Sequence, residues 1–255
     1  MNKDIGSILE GWDYRPDEIS VRKIIGIDGK EKVQMRLDLG LLQMEVDGRP
    51  DGKRPYGKES LLDYYESLVE EHRAKYETIE NFKLDGEDCA RLQQEGIQYY
   101  YRYLSFFHLE EYEKVIRDTG RNLRLFAFVR DYVSSDHDAF SFDQYRPYVA
   151  MMNTRAKASI SLAKKDYNGA LAEIESGIEA IGEFFKEYDR ESLIESCGEV
   201  IFLRDWAKEI RENKPLTLND KLEQRLKLAV EREDYEEAAR LRDEMKKLKE
   251  SGGQK

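Results

Sequence analysis

Asp38, Glu45 and Asp47 stand close in the chain to Lys53 and Arg54. Carboxylates beside cations are the materials of metal-assisted hydrolysis, in which the acids hold a cation and the bases take up charge on a phosphate. The two-residue spacing of Glu45 and Asp47 puts both on one face of a strand, opposite Met44 and Val46. A solvated strand face has that same spacing, so we expect no metal ligand and no catalytic residue, and a hydrolase is only the third functional reading. Gln43, Glu45, Asp47 and Arg49, beside Gly40, Gly48 and Gly52, form a candidate ligand surface for a peptide or nucleotide.

Other reactive types are sparse. His72, His108 and His137 have no partner at helical spacing, and His137 sits in an expected surface loop, Ser134 to Asp138. Cys89 and Cys197 form no CxxC pair, which excludes a zinc ribbon or a redox dithiol and leaves two reduced thiols. The run Tyr99 to Phe107 is aromatic on every face and reads mostly as core. Its alternative is a stacking platform, with Arg102, Arg117, Arg121, Arg124 and Arg146 meeting nucleic acid or a phosphorylated group. No cofactor is expected.

Three kinds of segment must position these residues. Residues 1–57 read as β. Ile19, Val21, Lys23, Ile25 and Ile27 alternate as a largely buried strand, and Asp28-Gly29 signals a tight turn. Val33, Met35, Leu37 and Leu39 then share one face, and the apolar phase flips to Leu42, Met44 and Val46, which predicts a bulge or strand break at Gly40. A hairpin or three-stranded meander of this size has to dock on helices. Residues 58–213 take helical period: Leu61, Leu62, Tyr65, Leu68 and Val69 mark a first helix with Ser60 a candidate cap, and others follow near 87–108, 110–129, 143–164, 167–188 and 191–212. Lys214-Pro215 is the linker to a third segment, 216–250.

The same turn recurs between helices, at Glu110-Glu111-Tyr112, Lys165-Asp166-Tyr167 and Glu233-Asp234-Tyr235. Around the second of these, small Ala156, Ala158, Ala163 and Ala170 let two helices approach, and residues 153–174 are similar to a tetratricopeptide repeat. The tyrosines are not evenly spaced, so the expected fold is mainly α: an irregular helical-hairpin stack with a small N-terminal β element.

The third segment is a short helical hairpin turning near Glu233-Asp234. Leu222, Leu226, Ala229 and Val230 form the stripe of its first helix, and Ala238, Leu241, Met245 and Leu248 that of its second, at a coiled-coil spacing. Tyr235, Ala238-Ala239, Leu241-Arg242-Asp243 and Leu248 together resemble the UVR motif of the excision-repair proteins UvrB and UvrC. That motif is a protein-protein contact, so the resemblance implies that Leu222, Leu226, Val230, Tyr235, Ala238, Ala239, Leu241, Arg242, Asp243, Met245 and Leu248 bind a partner or a second copy. Much of the remaining chain is similar to bacterial UvrB/UvrC-motif proteins of unassigned activity, on Gly11 to Pro16, Gln34 to Gly40 and Gln43 to Gly52. The helicase motifs and P-loop of UvrB and the nuclease modules of UvrC are missing.

Composition bounds the function. The 255 residues are 37% charged with a formal net charge of -11, a balance that disfavours broad coating of nucleic acid. No apolar leader or membrane-length run occurs, which reads as cytoplasmic. The expectation is a non-enzymatic adaptor that uses the hairpin to dimerise or recruit. The alternatives are an accessory of nucleotide-excision repair that binds Uvr proteins or DNA, and the hydrolase.

Overall fold

The computed structural model describes residues 4–215 and 218–252, with side chains described for 4–215, 222 and 225–246. Two compact units divide the chain, residues 1–207 and 208–255.

In the first unit a short helix, α1 (Gly6–Leu9), precedes three strands, β1 (Val21–Ile25), β2 (Glu31–Leu37) and β3 (Gly40–Glu45), paired antiparallel in chain order. The register explains the flip of the apolar phase. Leu37 pairs with Gly40, Met35 with Leu42 and Val33 with Met44. A two-residue connection thus sets odd positions of β2 beside even positions of β3 on one face. The break at Gly40 is a tight hairpin turn, and Leu39 at its tip is exposed. The first strand departs from expectation. β1 pairs on one side only, and Ile25 (70% exposed) and Ile27 lie in water where the chain enters the Asp28-Gly29 turn. Burial belongs to the central strand, whose Val33 and Met35 are covered as β2 packs against the helices.

Helices follow: α2 (Leu61–Tyr76), α3 (Gly86–His108), α4 (Tyr112–Tyr132), α5 (Asp136–Asp143), α6 (Arg146–Ala163), α7 (Tyr167–Glu187) and, after a 3-10 turn at Glu191–Ser196, α8 (Gly198–Asn213), in which the unit boundary at residue 207 falls. Local chemistry sets their starts. The Asp63 N–H donates to Ser60 Oγ at 3.1 Å, and Asp85 and Asp88 form a reciprocal capping box on α3. The segment expected as a loop around His137 is helical because Ser135 caps it and two aspartates occupy its first turn, next to the unpaired N–H groups. His137 itself is exposed.

The recurrent turn is one backbone device. Glu110, Lys165 and Glu233 are all left-handed, with φ of 58°, 60° and 59°. After each, the next N–H reaches back five residues: Glu111 to Phe106 O, Asp166 to Ser161 O and Asp234 to Ala229 O, all at 2.9 Å. This closes the preceding helix in the Schellman manner.

The main core is Leu62, Tyr65, Val69, Leu92, Leu125, Val129, Phe142 and Val149, shared by α2 to α6. α6 and α7 pack closely through buried Ala156, Ala158 and Ala170, whereas Ala163 is exposed at the end of α6. They also approach closely at Gly177, where an added Cβ would lie 2.1 Å from Thr154 Oγ1.

Candidate functional site: the C-terminal hairpin

In the second unit, α9 (Leu218–Glu231) and α10 (Tyr235–Gly252) run antiparallel about the Glu233 turn. Asp234 starts α10 by accepting the Glu237 N–H on its carboxylate at 3.0 Å. The seam holds buried Leu222, Ala229, Ala238 and Leu241, with Leu226 and Met245 half-buried against them. Leu248 was expected to extend this seam, but its side chain lies outside the described residues. Val230 does not belong to it and is 45% exposed, because the step from Ala229 turns it about 100° off the seam. Ala239, Arg242 and Asp243 are also exposed.

The two flanks of the hairpin differ. On one, Arg225 Nη2 pairs with Glu237 Oε1 at 2.7 Å across the helices. On the other, helical spacing aligns Leu226 with Val230, and Tyr235 (70% exposed) with Arg242. Leu228 is exposed as well, nearer the ion-pair side, and was not singled out in the sequence. Leu228 belongs neither to the motif residues nor to the seam, so nothing in the spacing singles it out.

The four residues of the expected ligand surface are not held together. Gln43 and Glu45 sit on the outer face of the sheet. There Arg22 Nε donates to Gln34 Oε1 at 2.8 Å, and Gln34 Nε2 donates to Gln43 Oε1 at 2.9 Å. Lys32 lies between Asp28 and Glu45, and its ammonium is held above its usual pKa by Asp28 first and then Glu45. β3 ends at Glu45, and the chain bends from Val46 to Arg49, with Gly48 at φ 65°, so Asp47 and Arg49 leave the strand. Asp47 pairs with Arg117 of α4 at 2.7 Å, and Arg49 faces buried Glu95 of α3 at 3.0 Å. Asp38 is exposed at the β2–β3 turn, apart from both groups. Among the described residues no group of three or more His, Cys, Asp or Glu lies where it could hold a metal ion.

The arginines named for a nucleic-acid platform all meet carboxylates of their own chain. Arg102 pairs with Asp118, Arg117 with Asp47 and Asp118, and Arg121 with Glu95. Arg124 meets Asp63 and Glu66, and Arg146 meets Asp143 and Glu187. Burial draws Arg117 down, yet the hydrogen-bonded Asp118 and Asp47 leave it above the usual guanidinium value. For Arg121 burial prevails over Glu95 and lowers it. Cys89 and Cys197 are both buried and free. No helix among the described residues is long and apolar enough to cross a membrane.

A family model for the UvrB/uvrC motif, UVR, matches residues 219–251, the span of the hairpin. No curated protein and no solved structure matches the chain.

Proposed function

We propose that this chain is a non-enzymatic adaptor whose C-terminal hairpin grips a partner helix or the same hairpin of a second copy. One observation carries the reading. The hairpin buries only Leu222, Ala229, Ala238 and Leu241 within itself, while Val230, Tyr235 and Leu228 stay open to water. Full burial of a Val or Leu side chain is worth roughly 1.5–3 kcal/mol, so a partner laid on the flank of Leu226, Val230 and Tyr235 recovers energy that two short helices cannot gain alone. Two such hairpins make a four-helix bundle, and a partner helix makes a three-helix one. The UVR match supports a contact role, since the motif serves protein-protein contacts.

In this reading the first unit is a tetratricopeptide-like cytoplasmic scaffold with no catalytic residue, metal or cofactor. Deleting residues 216–255 tests it. The expected product is a folded body with fewer chains per particle by light scattering, or one that no longer captures a partner that the full chain captures. An unchanged oligomeric state with an unchanged set of captured proteins contradicts it.

A further inference from the structure

A cavity of about 430 Å³ opens between α3, α4 and the start of α6. Its lining contains no Asp, Glu, Lys or Arg, in a chain of which 37% is charged. The walls are aromatic, with Tyr100 and Tyr103 from α3, Phe126 from α4 and Tyr148 from α6. Ile97, 48% exposed, stands at the mouth. The lining amide of Asn122 is already engaged: its Nδ2 donates to Gly96 O at 3.0 Å, and its Oδ1 accepts from Arg121 at 3.1 Å.

Tyr103 is different. It is 1% exposed, yet its hydroxyl is not among the fully enclosed unpaired polar atoms of the described residues. An acceptor in the cavity would meet this hydroxyl as a donor. Burial also raises its pKa far above the usual phenol value, so it stays a neutral donor. A charged guest would lose its hydration here and find no counter-charge. A flat uncharged guest would meet ring faces and one donor, and the volume falls in the range of small-molecule sites.

We propose that this cavity binds an uncharged planar aromatic small molecule carrying a hydrogen-bond acceptor that Tyr103 Oη recognises. The site is independent of the hairpin and of the adaptor role.

The test titrates the full-length protein with 6-acetyl-2-dimethylaminonaphthalene, a neutral planar dye whose emission reports hydrogen bonding to its carbonyl. Saturable binding of one dye per chain is expected. The anionic analogue 6-dimethylaminonaphthalene-2-sulfonate should bind at least about tenfold more weakly. Ile97→Trp, which fills the mouth at a half-exposed position, should weaken the neutral dye by at least about tenfold, while Ile201→Trp should not. Tyr103→Phe should weaken it several-fold and shift the bound emission to the blue. Absence of saturable binding, equal binding of the sulfonate, or binding indifferent to Ile97→Trp and Tyr103→Phe would overturn the proposal. The sulfonate comparison needs no variant, so it decides even if a substituted chain fails to fold.

Discussion

Arg102 closes on Asp118 through two bonds, Nε to Oδ2 at 2.6 Å and Nη2 to Oδ1 at 2.8 Å, with both side chains 1% exposed. The remaining guanidinium nitrogen, Nη1, donates to Glu45 O at 3.0 Å and to Gly48 O at 2.8 Å. One buried cation therefore ties α3 to α4 and both of them to the end of the sheet. Arg117 repeats the device from α4, reaching Val46 O at 2.8 Å. A three-stranded sheet cannot stand alone in water, and this polar clasp, with Val33 and Met44 packed beneath, is how it is held.

Asp118→Asn should cost about 3–5 kcal/mol, because it leaves the buried guanidinium without its counter-charge. Arg102→Met with Asp118→Leu should recover part of that loss, since an apolar pair replaces the ion pair. Recovery stays incomplete because Glu45 O and Gly48 O lose their donor. Urea unfolding of the three proteins checks the order. Equal stability of Asp118→Asn and the native chain would refute the clasp.

Gly177→Ala should destabilise the α6–α7 pair by about 1–3 kcal/mol, the range of an overpacked core. The new methyl meets Thr154 Oγ1, and Thr154 is itself buried. Thr154→Ser in the same chain removes the methyl at Cγ2 but keeps the hydroxyl, so rescue should be partial. Thermal melts of the single and double variants measure it.

Stability should fall on acidification through Glu187. Its carboxyl is held below the usual range chiefly by the hydrogen bond from Arg146, with Arg130 adding to the attraction. A depressed carboxylate stabilises the fold fully above its unfolded pKa, about 4.3, and the contribution is lost as pH falls through the folded value. The side chain is 43% exposed, so the contribution is modest. Between pH 5 and pH 3, Glu187→Gln should lose less stability than the native chain. A parallel fall in both would show that the Arg146 pair contributes nothing.

Legibility in the sequence followed the range of the interaction. Ser60 as a cap, the Asp28-Gly29 turn and the three turn-tyrosine devices depend on residues a few positions apart, and they stand where the spacing puts them. The exposure of Ile25 was not legible, because alternation shows that a strand has a face but not whether a neighbour covers it. Glu45 and Arg49 share a strand parity yet face different elements, since Gly48 turns the chain between them. The aromatic run gave a core but not the cavity beside it, which needs α4 and α6 in place. In the hairpin, the motif identified the seam residues Leu222, Ala238 and Leu241, while the exposed Leu228 followed from no pattern.

The contact role of the hairpin is tested most directly by Val230→Glu with Tyr235→Glu in the full-length chain. Both side chains are exposed and off the seam, so helix content by circular dichroism should be unchanged. The account predicts that light scattering then gives a lower mass than for the native protein, or that affinity capture loses a partner the native protein retains. Retention of both the mass and every captured protein, with the hairpin still helical, would contradict it.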